Sequence, residues 1–568
     1  MRSPITTLVA LTLLAASFAG ANNTGGSKSQ FVQAQGGKFH VNGSELKFIG
    51  TTAYWLPSLN TEQDIVNTLT NMSHAGIKVV RTWAFNDVEV IPQNGTWFQL
   101  VANGTTTLND GPNGLQKLDL VVEHAQRLGM YVLLSLTNNW NPREKFDGVA
   151  QSIQGLESDI QARRLWERDV TPGTNNSLPR NFLSNDYGGM DLYVRQFGLK
   201  NHDQFYTNDT LKTLFKNYTA NIVSRYKDSP AVFSWEIAND ARCSSSLKAS
   251  SGCKTTVVTQ WHSDIADNIR QFDPNHLISA GTQGFFCVDC PKLFAPLPPP
   301  PPPQTSGTPN TRRSPAPLTK ERLLQERRDQ WKKTRAAALQ SGKRQEGGIR
   351  VRGQWMSTPT RRQVDAGPGP AFDGSEGVDS QDILGAPNIG LSTFQLFPDQ
   401  NTYFPDDPSL SSFDNVVQNG VKWIQQHART AQVLNKPVAL TGFGLVTQAN
   451  LPDFVPFNSS TAPFANSTSN AVQDIGVTDA QRDEAFETWL DTGIDAGLDG
   501  IIQYQWGQTG LQTQPGTTIS PNVVGSSQSP NINEAGQSPN DGYSANGVGL
   551  ASVQDIISNA AQQIGSSV

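Results

Sequence analysis

The sequence predicts an α/β protein, a (β/α)8 TIM barrel with two long loop insertions. Short apolar, β-rich runs alternate along the chain with stretches of helical periodicity, which is typical of βα units and a parallel sheet. Eight such runs occur, and eight is the number that a closed barrel requires. Several are continuously hydrophobic, as in Tyr-Val-Leu-Leu-Ser-Leu over 131–136, which suits a sheet buried on both faces.

The predicted strands set the expected position of a site. They are Leu46–Trp55, Val79–Phe85, Tyr131–Trp140, Ala231–Asp240, Leu277–Gly284, Asn388–Pro398, Pro437–Gly444 and Gly500–Gly507. Polar residues interrupt the apolar runs near their carboxyl ends, which is the end of such a barrel where active sites lie.

Helical segments are predicted between these strands. The first has Thr61 and Asp64 in an arrangement like a capping box, and Gly76 as a stop signal. The predicted helices are Thr61–Ala75, Leu115–Leu128, Thr210–Tyr226, Thr256–Phe272, Phe413–Leu434, Asp479–Ala496 and a closing helix at Ala551–Ile564.

Two insertions break this alternation. Asn141–Asn185 is predicted to be a long surface loop over the cleft. Leu297–Gly369 opens with a polyproline run and continues as a charged stretch, predicted to be a solvated, partly helical and partly disordered loop. Between residues 312 and 362 it carries 15 Lys/Arg and 4 Asp/Glu. Its dibasic pairs, such as Arg312-Arg313, leave proteolytic maturation open, and binding to polyanionic material is a weaker alternative.

The amino terminus predicts export. Arg2, an apolar run from Ile5 to Phe18 and Ala19-Gly20-Ala21 have the order of a secretory signal peptide with its cleavage site. No apolar run is long enough to cross a bilayer, so a secreted, extracellular protein is expected. Ten glycosylation sequons agree with this, at Asn22, Asn42, Asn71, Asn94, Asn103, Asn175, Asn208, Asn217, Asn458 and Asn466.

Four cysteines allow three disulfide pairings in an oxidising compartment, and a zinc site is the less favoured alternative. Local closure is the predicted pairing, with Cys243 bonded to Cys253 and Cys287 bonded to Cys290. No metal and no cofactor are expected. The net charge of −6 with 17% charged residues does not indicate a nucleic-acid partner. A monomer is expected.

Several motifs lie at the predicted strand ends. They are Val-Arg-Thr-Trp-Ala-Phe over 80–85, Thr-Asn-Asn-Trp over 137–140, Asp-Tyr-Gly-Gly-Met-Asp over 186–191 and Trp-Glu-Ile-Ala-Asn-Asp over 235–240. Together they resemble the fungal endo-β-1,4-mannanase branch of glycoside hydrolase family 5, over roughly 30–295 and 370–510. The resemblance implies a TIM barrel that hydrolyses β-mannan with retention of configuration, which requires two carboxyl groups about 5 to 5.5 Å apart.

The resemblance also places the catalytic positions. The family has its acid/base directly after the asparagine of the fourth-strand motif, which is Asp240 here. An aspartate holds its carboxyl about 1.5 Å further back than a glutamate, and misplacement on that scale can cost on the order of 10²-fold in rate. The family nucleophile precedes Phe-Gly on the seventh strand, where this chain has Gly442. A glycine offers no nucleophile, so the family mechanism is expected to be blocked.

Further positions depart from the pattern or keep it. The sixth-strand His-x-Tyr-Pro motif of the family reads Gln395-Leu396-Phe397-Pro398 here, so the imidazole and the phenol beside the nucleophile are both absent. The positions that would contact the sugar remain, and the expected substrate-binding set is Arg81, Trp140, Asn239, Gln395, Phe397 and Trp506. The resemblance assigns the eighth-strand tryptophan under the sugar to Trp506.

Three functions stay open at this point. The chain is an altered endo-β-1,4-mannanase or related β-glycanase, a secreted pseudoenzyme that binds β-mannan or another β-glycan without cleaving it, or a wall-associated protein that works through its basic insertion. The predicted organisation is a signal peptide (1–21), the first part of the barrel (30–296), the insertion (297–369), the second part of the barrel (370–510), and a C-terminal loop with a closing helix (511–568).

Overall fold

The structure is a computed structural model, and not every residue is described. The described residues are 30–92, 95–141, 183–295, 319–320, 322–326, 328–329, 348–351, 354–357, 369–450, 454, 476–512, 536–545 and 548–566. The predicted signal peptide, most of both predicted insertions and the sequon asparagines Asn22, Asn94, Asn175, Asn458 and Asn466 lie outside them.

Eight parallel strands form the barrel, and each lies inside one of the predicted apolar runs. They are β1 Phe48–Thr52, β2 Val79–Trp83, β3 Tyr131–Ser135, β4 Val232–Glu236, β5 Leu277–Ser279, β6 Ser392–Leu396, β7 Val438–Phe443 and β8 Gly500–Gln503. Nearly every residue in them is buried, as continuously apolar strands require.

The strands are hydrogen-bonded in the order β5-β4-β3-β2-β1-β8-β7-β6, so neighbours in the sheet are neighbours in the chain, with β8 beside β1. The two end strands are joined by backbone hydrogen bonds from Gly390 N to Ile278 O (2.8 Å) and from Gln395 N to Gln283 O (3.2 Å). The sheet therefore closes into a barrel, and the predicted fold class is confirmed.

A helix follows each strand. Besides shorter helices such as Met190–Gln196 and Gln204–Thr207, the described residues contain eight helices that each follow one strand: α1 Glu62–His74, α2 Leu115–Arg127, α3 Asp209–Tyr226, α4 Thr255–Phe272, α5 Ser380–Gly385, α6 Ser412–Leu434, α7 Asp479–Ala496 and α8 Val548–Ser566. Seven of them match the predicted helices to within a few residues. The sequence analysis missed α5, because six residues contain too few turns to show a helical period.

Local chemistry fixes several helix ends. The Thr61 hydroxyl accepts a hydrogen bond from Asp64 N (3.2 Å) at the start of α1, and Gly76 follows its end with φ of +81°. A full capping box starts α6, where Ser411 and Asp414 bond reciprocally. The first of these caps is the one that the sequence indicated.

A small antiparallel sheet over 33–46 covers the amino-terminal end of the barrel. Phe39 on this sheet packs against Phe48 of β1 and Phe233 of β4, with ring centroids 6.1 and 5.0 Å apart. Apolar side chains therefore seal this end, and the opposite, carboxyl-terminal end is left for the polar residues.

Both predicted disulfides are present, Cys243–Cys253 and Cys287–Cys290, with Cα atoms 5.9 and 5.4 Å apart. Each bond lies on a loop at the carboxyl end of a strand, after β4 and after β5. The segment at 369–379 returns beside them, with Cys243 N bonded to Glu376 O (3.0 Å) and Phe286 N bonded to Ala371 O (2.9 Å). The chain on both sides of the second insertion is thus held at the barrel.

Candidate functional site

Polar residues from several strands meet at the carboxyl end of the barrel. Arg81 lies in β2 and Glu236 ends β4, while Asn239 and Asp240 follow β4 directly. On the other side, Gln395 of β6 is paired in register with Gly442 of β7. The predicted catalytic positions thus lie at one end of one barrel, as their positions in the sequence indicated.

A buried hydrogen-bond network joins β2, β4 and β6. The Arg81 guanidinium bonds both carboxylate oxygens of Glu236 at 2.5 to 3.1 Å, and it donates to Asn239 Oδ1 at 2.8 Å. Gln395 Nε2 donates to the same oxygen at 3.3 Å, and Gln395 Oε1 accepts from Gln283 Nε2 at 3.1 Å. Arg81 therefore pairs with an internal acid and also orients Asn239.

Asp240 has an unusual backbone and strong partners. Its φ of +61° is in the left-handed region, which Asp tolerates better than most residues, and its N–H donates to Gly281 O at 2.8 Å. Trp140 Nε1 donates to Asp240 Oδ2 at 3.0 Å, and Arg242 donates to both oxygens at 2.6 to 3.1 Å. Both carboxylate oxygens are therefore engaged.

Arg242 is itself enclosed. Its Nη1 donates to Glu376 Oε2 at 2.8 Å, and its guanidinium lies 5.2 Å above the Trp140 ring and 4.9 Å from the Phe285 ring. Burial raises the pKa of Asp240, and the Arg242 guanidinium and the Trp140 indole oppose that rise. Glu376 was not predicted, because it belongs to the irregular segment that follows the second insertion.

Both tryptophans expected under the sugar are buried. Trp140 is 1% exposed and Trp506 is 4% exposed. The Trp506 indole donates to Gln508 Oε1 at 3.1 Å, and its backbone N–H donates to Thr52 O at 2.9 Å, which fixes the chain after β8 against β1. Sugar contact by these two residues stays a prediction.

Gly442 lies against an aromatic wall. A Cβ built on it would have Phe397 Cζ at 3.3 Å, Phe397 Cε2 at 3.5 Å and Gln395 Cγ at 3.8 Å as its three nearest atoms. The neighbouring Thr441 turns its hydroxyl to Phe394 O (3.2 Å). A side chain at 442 would therefore require the Phe397 ring to shift by a few tenths of an ångström, and the atoms nearest to that position belong to a phenyl ring and an amide side chain.

Two tyrosines, Tyr504 and Tyr543, complete the aromatic wall that begins at Phe397. The Phe397 ring packs edge to face on Tyr504, which follows β8, and on Tyr543, with centroids 5.4 and 5.2 Å apart. Tyr543 and its neighbour Asp541 come from 536–545, part of the predicted C-terminal loop. The sequence analysis missed all three residues, and the turn signal Asn540-Asp541-Gly542 was the one available hint.

Two buried carboxyl groups near the aromatic wall, those of Asp399 and Asp541, have shifted pKa values. Burial raises the pKa of Asp399 to about 7, although a hydrogen bond from Val446 N (3.1 Å) opposes the rise. Burial also raises the pKa of Asp541 to about 6, against hydrogen bonds from Tyr504 and Ser184. Both groups therefore change charge in mildly acidic solution.

Within the described ranges, no group of three or more His, Cys, Asp and Glu side chains is placed to hold a metal ion. No helix in that same part of the chain combines the length and the apolar character of a membrane span. The fold and this site define a (β/α)8 barrel with a buried polar and aromatic site at its carboxyl end.

Sequence comparison identifies the domain. Residues 29–295 match the family described as GH family 5 beta-mannosidase-like. The mannan endo-1,4-beta-mannosidase F of Aspergillus fumigatus is 36% identical over 259 residues, which are 45% of this chain and 47% of that protein. The mannan endo-1,4-beta-mannosidase A of Aspergillus aculeatus is 32% identical over 264 residues, 46% of this chain and 56% of that protein. Residues 29–295 are therefore similar to the mannosidase-like branch of glycoside hydrolase family 5.

Solved structures agree on the fold. The endo-1,4-beta-mannanase of Rhizomucor miehei superimposes with a TM-score of 0.55 at 22% identity, covering 94% of this chain and 99% of that one. The mannanase of Thermotoga petrophila RKU-1 gives a TM-score of 0.53 at 20% identity, covering 91% and 99%. The sequence matches are shorter, and the chain spans about half the length of the curated relatives that it matches.

Proposed function

We propose that this protein binds β-mannan-type polysaccharide and does not hydrolyse it by the retaining route of its relatives. The proposal rests on the residues that surround Gly442. A retaining glycosidase needs a carboxylate at this position, about 5 to 5.5 Å from the acid/base. The three atoms nearest to a Cβ built there belong to Phe397 and Gln395, and neither side chain carries a carboxylate.

The remaining carboxylates at the end of β4 support the same proposal. Arg81 bonds both oxygens of Glu236, and Arg242 bonds both oxygens of Asp240. A carboxyl group held in this way must leave its arginine before it can transfer a proton to a leaving group. Both pairs are buried, so the separation is costly.

The case for mannan comes from the relatives and from the site. The curated relatives are named as mannan endo-1,4-beta-mannosidases. The site keeps polar side chains at Arg81 and Asn239, and aromatic rings at Phe397 and Tyr504, close together at one end of the barrel. Polar groups that fix orientation within an aromatic lining are the usual composition of a small-molecule site.

The decisive experiment pairs binding with turnover. The full chain and the Gly442→Glu/Asp240→Glu double variant are assayed on galactomannan, glucomannan and cellulose, by affinity electrophoresis and by release of reducing sugar. We expect the wild type to retard on galactomannan without releasing sugar. The double variant regains a carboxylate at 442 and the longer reach of a glutamate at 240, and its hydrolysis rate rises by on the order of 10²-fold or more above the wild-type background.

Gly442→Gln combined with Asp240→Glu is the matched control, because glutamine has the shape of glutamate without its nucleophilic charge. It should stay as inactive as the wild type. Robust galactomannan hydrolysis by the wild type would overturn the non-hydrolytic half of the proposal. A wild-type chain that retards on none of the three polysaccharides would overturn the binding half.

One observation favours a second candidate, which is hydrolysis with inversion. Asp399 and Asp541 are buried carboxyl groups with pKa values raised to about 7 and about 6, the range in which a general base works. An inverting glycosidase holds its two carboxyl groups about 6.5 to 9.5 Å apart. If the wild type releases sugar, NMR of the first product distinguishes this route, because an inverting enzyme releases the α-anomer from a β-mannan.

We also propose that the protein is secreted and glycosylated. Two disulfides and exposed sequon asparagines support this, since disulfides persist in oxidising compartments. The exposed ones are Asn42, Asn71, Asn103 and Asn217. Expression in a eukaryotic secretory host should give a protein that moves faster on a gel after peptide N-glycosidase treatment. An unchanged mobility would contradict the proposed glycosylation.

A further inference from the structure

The segment at 536–545 lies across the carboxyl end of the barrel. Ser538 N donates to Gln508 O (2.8 Å) in the chain after β8, and Asn450 Nδ2 donates to Ser544 O (2.8 Å) from the loop after β7. Gln400 Nε2, after β6, donates to the Tyr543 hydroxyl (2.8 Å). The segment is thus anchored to the loops after three strands, and it forms part of the wall around Gly442.

Asp541 is the central polar residue of this segment. It is 1% exposed and accepts hydrogen bonds from three side chains, Tyr504 Oη (2.6 Å), Gln505 Nε2 (2.7 Å) and Ser184 Oγ (3.2 Å). Among the described residues no lysine, arginine or histidine forms an ion pair with it. The carboxylate is therefore solvated by neutral donors alone, two of them on consecutive residues after β8.

One of the two donors after β8, Tyr504, connects Asp541 to the position of the missing nucleophile. The Tyr504 ring contacts the Phe397 ring, and Phe397 supplies the atom nearest to a Cβ at Gly442, at 3.3 Å. Tyr504 also stacks on Tyr54, with centroids 6.2 Å apart. Without the Asp541 hydrogen bond the phenol would lose one of the partners that hold it in this wall.

We propose that Asp541 is a positioning residue of the glycan site, which holds Tyr504 and Gln505 in the wall beside Gly442 and makes affinity for β-mannan-type chains depend on pH. The inference rests on the proposed function. A carboxylate can accept all three hydrogen bonds, but a protonated carboxyl must donate one of its own. Protonation therefore forces one partner to turn, and the wall changes shape.

The surroundings of Asp541 place this change in mildly acidic solution. Burial raises its pKa to about 6. The titratable groups that face it are Tyr54, Tyr504 and Tyr543; Asp399 acts on Tyr543 from behind, and Arg81 acts on Tyr504. The tyrosines stay neutral over the acidic range, because burial raises the pKa of each one. The charge of Asp541 therefore changes there without a change on these phenols.

The test measures mannohexaose affinity by titration calorimetry on the full chain, from pH 4.5 to 7.5, for the wild type and Asp541→Asn. We expect the wild-type Kd to rise about tenfold as the pH falls through about 6, the equivalent of one hydrogen bond. Asp541→Asn should bind weakly at every pH, with no such transition. Tyr504→Phe, which keeps the charge but removes the phenol, should also lose the transition.

Asp499→Asn is the matched control, because Asp499 is a buried aspartate with a raised pKa at the opposite end of the barrel, paired with Lys38. It should keep the wild-type pH profile. Thermal unfolding of each variant establishes that it is folded. A wild-type chain that binds at no pH would overturn the proposed function and this inference with it. Wild-type binding that Asp541→Asn retains with its pH profile unchanged would overturn this inference alone.

Discussion

The carboxyl end of the barrel, here called its mouth, buries carboxyl groups in different ways on its two sides. After β4, Asp240 is matched by the Arg242 guanidinium, which also bonds Glu376. On the β6 and C-terminal side, Asp399 and Asp541 have only neutral donors among the described residues. Burial raises the pKa on both sides, but an arginine opposes it on the first side alone.

This difference affects how readily the carboxyl groups on each side change their charge. A carboxylate that shares a guanidinium is held in one state by its partner, and removal of the partner is costly. A carboxyl group surrounded by hydroxyl, amide and backbone N–H groups is free to take up a proton when the solution turns acidic. One side of the mouth is therefore an electrostatic clamp in which an arginine bridges two carboxylates, and the carboxyl groups on the other side have neutral donors instead.

Removal of Arg242 should break the clamp at Asp240 and should have the largest effect on stability among the proposed variants. Arg242→Ala leaves Asp240 and Glu376 without their shared cation, and Asp240 is buried, so we expect a loss of about 3 to 5 kcal/mol in the free energy of unfolding at pH 7.5. The loss should shrink at pH 4, where Asp240 can bind a proton instead. Urea denaturation at the two pH values measures both quantities.

Arg225→Ala is the control for this prediction. Arg225 also bridges two aspartates, Asp110 and Asp119, but those carboxylates are 73% and 36% exposed. Water replaces the lost partner there, so the variant should lose about 1 kcal/mol or less. Equal losses for the two arginine variants would contradict the clamp at Asp240.

Neutralising Asp399 tests how a buried carboxyl group on the other side of the mouth affects stability. Because its folded pKa is raised to about 7 from 3.8, the folded chain binds the proton more tightly than the unfolded chain. Its contribution to stability is thus greatest below pH 4 and falls as the pH rises to about 7. Asp399→Asn should therefore stabilise the protein at pH 7.5 by up to about 4 kcal/mol, and should change little at pH 4.

Melting temperatures of the wild type and Asp399→Asn across that pH range check this prediction. Asp273→Asn provides a control of opposite sign. Burial raises the pKa of Asp273, but His276 and Trp235 outweigh it and bring the pKa to about 2. This variant should destabilise the protein at pH 7.5. A destabilised Asp399→Asn at neutral pH would show that its carboxylate is needed in the charged form.

The smallest expected effect is at Tyr543. Tyr543→Phe removes the acceptor for Gln400 Nε2 and keeps the aromatic contacts with Phe397, so we expect a loss of about 1 kcal/mol in the free energy of unfolding. Tyr131→Phe, on a half-buried tyrosine of β3, should change stability by about 0.5 kcal/mol or less. A Tyr543→Phe variant as stable as the wild type would mean that this hydrogen bond does not anchor the C-terminal segment.

Much of the barrel could be predicted because its signals are local. Continuous apolar runs and helical periods follow directly from the sequence, and they placed eight strands and seven of the eight helices. Parallel strand ends meet at one edge, so Asp240, Gln395 and Gly442 were expected together. The close spacing of the two cysteine pairs also favoured the disulfides that the structure contains.

The residues that were missed reach the site from irregular segments. Glu376 follows an insertion, and Asp541 and Tyr543 lie in a stretch rich in polar and small residues. Neither segment has a period, so the sequence gives no direction for its side chains. The resemblance assigned the sugar contact to Trp506 and gave no role to the neighbouring Tyr504, whose ring contacts Phe397.

The position of the disulfides has a consequence for a chain that is cut. Both bonds join cysteines that precede the basic insertion, so no covalent link other than the backbone connects 30–295 to 369–566 among the described residues. Backbone bonds such as Phe286 N to Ala371 O and the Lys292–Asp379 ion pair connect the two parts without it. A protease cut at one of the dibasic pairs would therefore produce two fragments that co-purify as one native particle. They would separate in detergent without any reductant.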